Sequence, residues 1–458
     1  MQANINKLLN DRVTNLTGLH YLNLVIFHIF IGFAIYLFKP ISFVYMLGIL
    51  IYFIIRIMRE SYDPLVTLKA CTYIVAAEVF LRMTDSLIFY ETGKYSVILF
   101  IAFGLYYHNF KSSANIFIVF LLLLVPSIVT TYLSISYEHN FRKTILFNLS
   151  GEFCLMATAL YCYKREVKFN DILKLLDFTT LPIIAMTTYL FFYTPNLQDV
   201  VTGAEGNFAA SGGFGPNQVS TALGLGIFCL FVRLFLNHQN RILRIVVFIL
   251  ISLVTFRALA TLSRGGVFTS FLMCLAFLFG FLRYAKPVIR SKSIVKLILL
   301  FIGGILIWSV TLVATNNMLY NKYTNRNANG QFQEDASTGR LKILETELEM
   351  FESNPFFGIG AGMGKFYRLD SFGSISASHN ELTRLISEHG LFGIVIIFLL
   401  IITTLVHYFK NPKNIFVLPL TLFWLLTISH SAMRIAAPGF IYGLALLSVK
   451  TSTTKDED

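Results

Sequence analysis

Apolar runs of about twenty residues, separated by short polar connectors, recur along this chain from residue 21 to residue 449. A helix needs ~20 apolar residues to cross ~30 Å of hydrocarbon, and a helix satisfies its own backbone groups throughout that depth. Such runs are placed at 21–38, 41–58, 65–83, 95–108, 114–135, 144–162, 174–193, 217–235, 241–260, 265–284, 294–314, 390–408, 412–430 and 433–449. Lys69, Glu78 and Arg82 interrupt the third run and the fourth is short, so 12 to 14 crossings are expected. With 55% hydrophobic and only 14% charged residues among 458, a soluble domain of this size is excluded. The expected fold is all-α: a polytopic membrane helical bundle of 12 to 14 transmembrane helices with one long external loop domain containing short helices.

The net charge of +12 follows the runs. With fourteen crossings and the N-terminus inside, the cytoplasmic connectors receive Lys7, Arg12, Arg56, Arg59, Lys111, the Lys164-Arg165-Lys168 cluster, Arg233, Arg241, Arg244, the Arg283 to Lys296 cluster, Lys410, Lys413 and Lys450. That is the positive-inside distribution. The charge reads as topology and contact with anionic membrane lipids, and no nucleic-acid partner is expected. A polar stretch of about twenty residues precedes the first run without a small-residue cleavage site, so the first span is expected to be an uncleaved anchor. Cys71, Cys154, Cys162, Cys229 and Cys274 lie in or beside apolar runs without CxxC spacing. They are expected to be packing residues, with neither a disulfide framework nor a metal site.

The runs divide the chain into N-terminal spans (1–193), an external Gly-rich loop (194–216), central spans (217–314), a large external loop (315–389), C-terminal spans (390–449) and a cytoplasmic tail (450–458). Glycines in the first loop allow close backbone approach to a ligand and equally suit a flexible connector; the Gly215-Pro216-Asn217 corner is favoured for a role, with Asn217 supporting. The second loop is long enough to be a small domain. A helix is predicted there from Thr338 to Asn354-Pro355. Leu341, Leu344, Leu348 and Phe351 form a stripe expected to pack on the membrane domain or lie at its surface, with Glu345, Glu347, Glu349 and Glu352 off it. Arg340 falls in the first turn, where positive charge opposes the helix dipole; an anionic ligand or Asp335 would compensate. The glycines from Gly358 to Gly364 lack GxGxxG spacing and read as a tight backbone pass near the membrane surface. A second helix is predicted from about Ser378, placing His379 in its first turn, where the positive helix end favours a neutral imidazole.

A titratable side chain just outside a membrane segment is where chemistry can sit, and histidine can accept a proton from a hydroxyl near neutrality. Arg264, in Thr261-Leu262-Ser263-Arg264-Gly265-Gly266, lies at the external mouth of spans nine and ten. It either snorkels or, with Arg257 a turn or two deeper and Arg340, offers guanidinium forks to a diphosphate. Glu205, Asp335, Asp370, Glu381 and Glu388 are expected mostly to be charged loop faces, with Glu388 orienting a neighbour or capping the next span. No fixed separation supports a paired-carboxylate mechanism.

Three segments carry a family resemblance: Ser263-Arg264-Gly265-Gly266; Ser337-Thr338-Gly339-Arg340 running into Asn354-Pro355-Phe356-Phe357-Gly358-Ile359-Gly360; and His379-Asn380 ahead of Gly390-Leu391-Phe392-Gly393. In this order, with an external loop between the second and third, they resemble the O-antigen ligase and polymerase family over roughly Phe208 to Ile402. The resemblance implies a multi-pass glycosyltransferase of the bacterial inner membrane with its site on the periplasmic face, independent of metal, cofactor and nucleotide sugar. Its partners would be an undecaprenyl-diphosphate-linked oligosaccharide donor and an acceptor glycan in surface polysaccharide biosynthesis. The acceptor is lipid A core for a ligase, a second lipid-linked repeat for a polymerase, or a protein hydroxyl; the histidine spacing leans to the ligase. By position, His379 matches the family's essential loop histidine, Arg264 the arginine at the span mouth, Arg340 the arginine opening the loop helix, and Asn380 a variable polar position. A single displacement implies inversion at the anomeric carbon. The alternatives are a capping or packed His379 and, from another class, a lipid-linked oligosaccharide flippase, for which no internal repeat is evident.

Overall fold

Because lipid offers backbone groups no partner, each apolar run becomes a helix bonded within itself. The computed structural model describes residues 18–136, 140–236, 241–333, 339–373 and 378–450. Expectations resting on residues 1–17, Asp335, Ser337, Thr338 and 451–458 lie outside them. The first half comprises α1 Gly18–Leu37, α2 Ile41–Arg59, α3 Pro64–Met83, α4 Thr92–Tyr107, α5 Ile116–Ser134, α6 Phe141–Cys162 and α7 Phe169–Tyr193. The central helices are α8 Pro216–Leu236, α9 Arg241–Ala260, α10 Arg264–Tyr284 and α11 Pro287–Ala314. The loop domain holds α12 Met318–Tyr323, α13 Arg340–Ser353, α14 Gly364–Phe372 and α15 Glu381–His389, and the chain finishes with α16 Leu391–Lys410, α17 Val417–Ser431 and α18 Ala437–Ala445.

Among the described residues, eleven helices are long and apolar enough to cross a membrane, and the chain is an all-α polytopic bundle. The shorter α4, α17 and α18 coincide with the remaining expected spans. At ~1.5 Å per residue, α18 is too short to cross alone. The charges that interrupt the third run are partly absorbed inside the bundle: Glu78 and Arg82 pair at 2.6 Å with both side chains buried. The other Glu78 oxygen accepts from the Ala436 amide at 2.7 Å. At the far end of the bundle, strands β1 Glu166–Lys168 and β2 Ser448–Lys450 pair in parallel, tying the last described residues to the α6–α7 connector.

In the loop domain the buried face of α13 differs from the leucine stripe. Leu341 and Leu348 are 57% and 42% exposed, whereas Thr346, Glu347 and Met350 are buried. Polar partners decide this. Arg368 donates to Glu347 at 2.8 Å and Thr383 donates at 2.5 Å, so a carboxylate read as surface charge pins α13 to α14 and α15. Glu381 and Glu388 are likewise buried instead of forming a charged face. Together with Glu152 of α6 they surround Arg384. The glycine run is a tight pass: Ile359 and Gly360 donate to the carbonyls of Ser387 and Glu388, and Ala361 donates to Ser127. A side chain at Gly358 would come within 2.3 Å of the Glu388 backbone.

Candidate active site

At the end of the bundle that carries the loop domain, a cavity of about 480 Å³ is lined by Asn217, Arg264, Arg340 and His379, together with Glu205, Lys322, His430 and Arg434. Its walls are helix starts. α8 begins at Pro216, α10 at Arg264 and α13 at Arg340, and all three residues face the cavity. Unsatisfied amides and the positive ends of helix dipoles therefore converge there. An arginine as the first helical residue opposes that dipole, and this happens twice on one cavity.

The local sequence explains how Arg264 reaches the wall. Ser220 donates to the Ser263 carbonyl at 2.9 Å, and the Ser263 hydroxyl donates to Asn217 Oδ1 at 2.8 Å. That approach requires Gly266, where a Cβ would lie 2.2 Å from the Ser220 backbone. Gly265 makes room on the other flank, because its Cβ would sit 2.3 Å from the His430 ring. The Gly-Gly pair thus lets α8 and α17 close on the first turn of α10. Leu262, which also lines the cavity, turns the chain at φ +53°.

His379 lies outside the helix that was predicted to contain it. Asn380 is the N-cap of α15, its side chain accepting from the Leu382 amide at 3.0 Å, so His379 precedes the cap. Three bonds from the α17–α18 connector fix this segment: Ala432 N–H to the His379 carbonyl at 3.1 Å, Met433 N–H to Glu381 at 3.2 Å, and Arg434 Nη2 to the Ser378 carbonyl at 2.8 Å. Nδ1 of His379 is buried with no hydrogen-bond partner among the described residues. Burial first, then the positive charges of Arg434, Arg340 and Arg368, hold the imidazole down at about 4. The neutral form is favoured through desolvation and neighbouring cations, and not through a place in the first helical turn.

Among the described residues, the cavity gathers cations against one lining carboxylate, Glu205. Burial lowers the pKa of Arg340, and the charge of Arg264 adds to the effect. Lys322 is lowered by burial, by Arg264 and by Arg340, with Glu205 acting in the opposite direction. Such mutual repulsion is relieved when an anion enters. His430 hydrogen-bonds the Leu426 carbonyl through Nδ1 at 2.6 Å, directing Nε2 towards Thr221 at 3.4 Å.

Of the residues read from sequence, Arg264, Arg340, His379 and Asn217 come together here. Asn380 serves as the cap described above and does not line the cavity. Arg257 is also away from it: only 1% exposed, it donates to the Thr194 carbonyl at 2.9 Å and stacks over Phe191, 4.2 Å from the ring centre. Lys322, His430 and Arg434 also line the cavity and belong to none of the sequence motifs above. Arg434 carries a usable signal, since it is a basic residue at the start of the last run, on the side where the positive-inside rule places few.

A search of curated proteins finds no match. A family model described as O-Antigen ligase matches residues 246–398, the stretch that includes Arg264, Lys322, Arg340 and His379. The chain is a multi-pass membrane protein whose residues 246–398 are similar to the O-antigen ligase family.

Proposed function

We propose that this protein transfers a glycan from a polyprenyl diphosphate, undecaprenyl diphosphate in bacteria, to an acceptor hydroxyl on the periplasmic face of the inner membrane, as an O-antigen ligase acting on lipid A core. The observation that carries this reading is the convergence of Arg264, Arg340 and Lys322 with three helix starts beside a neutral histidine. Guanidinium forks suit a diphosphate, and a buried neutral imidazole suits deprotonation of an alcohol.

The acceptor oxygen attacks the anomeric carbon while its proton passes to His379. The bond from that carbon to the diphosphate oxygen breaks, and the lipid diphosphate leaves with the electron pair. Arg264, Arg340 and Lys322 meet the charge that grows on it, so the reaction needs no metal or organic cofactor. One displacement inverts the anomeric centre. A flippase is less well supported, because the polar groups cluster at helix ends on one face instead of in broken helices at the midplane.

The test is reconstitution of the full chain with a labelled lipid-linked oligosaccharide, offering lipid A core, a second lipid-linked repeat and a protein acceptor separately. The ligase reading expects an inverted product on lipid A core, with His379→Ala slower by roughly 100- to 10,000-fold. Growth of the lipid-linked chain alone would make the protein a polymerase. Retained configuration, or full activity in the well-expressed His379→Ala protein, would overturn the mechanism.

A further inference from the structure

Beside Arg434, which lines both, lies a second cavity of about 230 Å³ that also takes in Ser378. Ser378 directly precedes His379, so the wall between the cavities is the segment that carries the base. The second cavity differs in chemistry. Three carboxylates, Glu91, Glu381 and Glu388, line it among basic residues, two of them paired with Lys94 and Arg384, so its charge is mixed and internally compensated.

Its mouth is aromatic. Tyr90 and Phe147 lie 6.0 Å apart at 36°, and are 48% and 55% exposed. Deeper in, Asn148 donates to Glu388 at 3.0 Å while its Oδ1 is buried with no partner among the described residues. Lys365 reaches Thr144 at 3.5 Å. Ring faces with planar amide, carboxylate and ammonium groups behind them match a neutral polyhydroxylated ligand, whose C–H faces stack and whose hydroxyls both donate and accept. Phe147 is six residues along α6 from its first residue, ~9 Å by helical rise, so the mouth opens near headgroup level. A membrane-anchored glycan presents its sugars at that level.

We propose that this second cavity binds the acceptor saccharide, with Tyr90 and Phe147 stacking on the sugar that bears the attacking hydroxyl and Asn148, Lys365 and Glu388 reading its hydroxyls. The assignment rests on the transferase reading above. Arg434, bonded to the Ser378 carbonyl, is a positioning residue common to both cavities.

The experiment measures two quantities on the reconstituted full chain: direct binding of labelled core oligosaccharide and of a labelled lipid-linked repeat, and the separate KM values for acceptor and donor during transfer. Tyr90→Ala, Phe147→Ala and Asn148→Ala should each weaken acceptor binding and raise acceptor KM about tenfold, leaving donor KM within twofold. Tyr90→Phe, which keeps the ring, should restore the wild-type acceptor KM and guards against misfolding. The probe whose binding falls in these variants identifies the acceptor's source. Saccharide binding lost in these variants without any transfer in the wild type would uphold the cavity and overturn the mechanism. Transfer with acceptor KM unmoved, or a shift in donor KM instead, would overturn the cavity. Absence of both binding and transfer would overturn both.

Discussion

The backbone amide of Ala432 donates to the carbonyl of His379 at 3.1 Å while Ala432 itself holds φ at +52°. With ψ at −167°, this alanine sits in a region that is almost glycine's alone and costs ~1–3 kcal/mol, so the connector stores strain where it fixes the histidine's backbone. A β-branched side chain tolerates that conformation less well. Ala432→Val is expected to lower kcat at least tenfold with donor KM unchanged, measured as initial transfer rates over a donor titration.

The acid limb of the pH profile should depend on occupancy. In the empty site His379 titrates at about 4, because burial and neighbouring arginines disfavour its cationic form. Activity that needs the neutral base is therefore retained as pH falls from 7 and lost only on passing through that value. A bound diphosphate offsets the arginine charge and raises the pKa. The acid limb of kcat should accordingly lie above that of kcat/KM, which initial-rate profiles between pH 3.5 and 8 will resolve.

Arg340 and Arg264 are expected to act together on the leaving group. Removing either donor should slow transfer roughly 100- to 1,000-fold, by analogy with loss of one oxyanion donor. The double variant should cost less than the product of the two, since each removal relieves the repulsion felt by the other. Arg340→Lys keeps the charge without the planar fork and should recover only part of the rate. A double-mutant cycle on kcat/KM checks all three statements.

Gly265→Ala places a Cβ 2.3 Å from the His430 ring. Either the ring rotates, losing the Leu426 bond, or α17 moves away from α10, and both change the cavity wall. Donor KM is expected to rise about tenfold, whereas Gly304→Ala, in the open face of α11, should change nothing.

Replacing Arg384 by Met would leave Glu152, Glu381 and Glu388 buried without their shared cation. Loss of one partner from a buried ionic group typically costs ~3–5 kcal/mol. The carboxylates would then favour protonation, so the loss in thermal stability should shrink as pH is lowered from 7 to 5. Melting curves in detergent at both values test this.

The bundle was legible in the sequence because hydrocarbon imposes length and apolarity on every crossing. Arg264, Arg340 and His379 were legible because their segments resemble a family pattern. Other features were hidden for specific reasons. The face of α13 was misread because Glu347 is buried by Arg368 and Thr383, partners distant in sequence, and periodicity weighs only the apolar residues. His379 was placed inside a helix because Ser378 and Asn380 are both competent caps, and only the bond from Leu382 to Asn380 selects one. His430 and Arg434 lie beyond the region of resemblance and reach the cavity only through the packing of α17 and the α17–α18 connector against the loop.

The two cavities share the stretch 246–398, which gives Lys365 and Glu388 to the second, but differ in what they add to it. Arg264, Lys322, Arg340 and His379 fall within 246–398, whereas Tyr90, Phe147 and Asn148 come from helices and turns before residue 149. Under the proposed assignment the stacking face for the acceptor is separable from the donor site by inheritance: substitutions among the early helices could retarget the protein to a new glycan while its reaction chemistry stays intact.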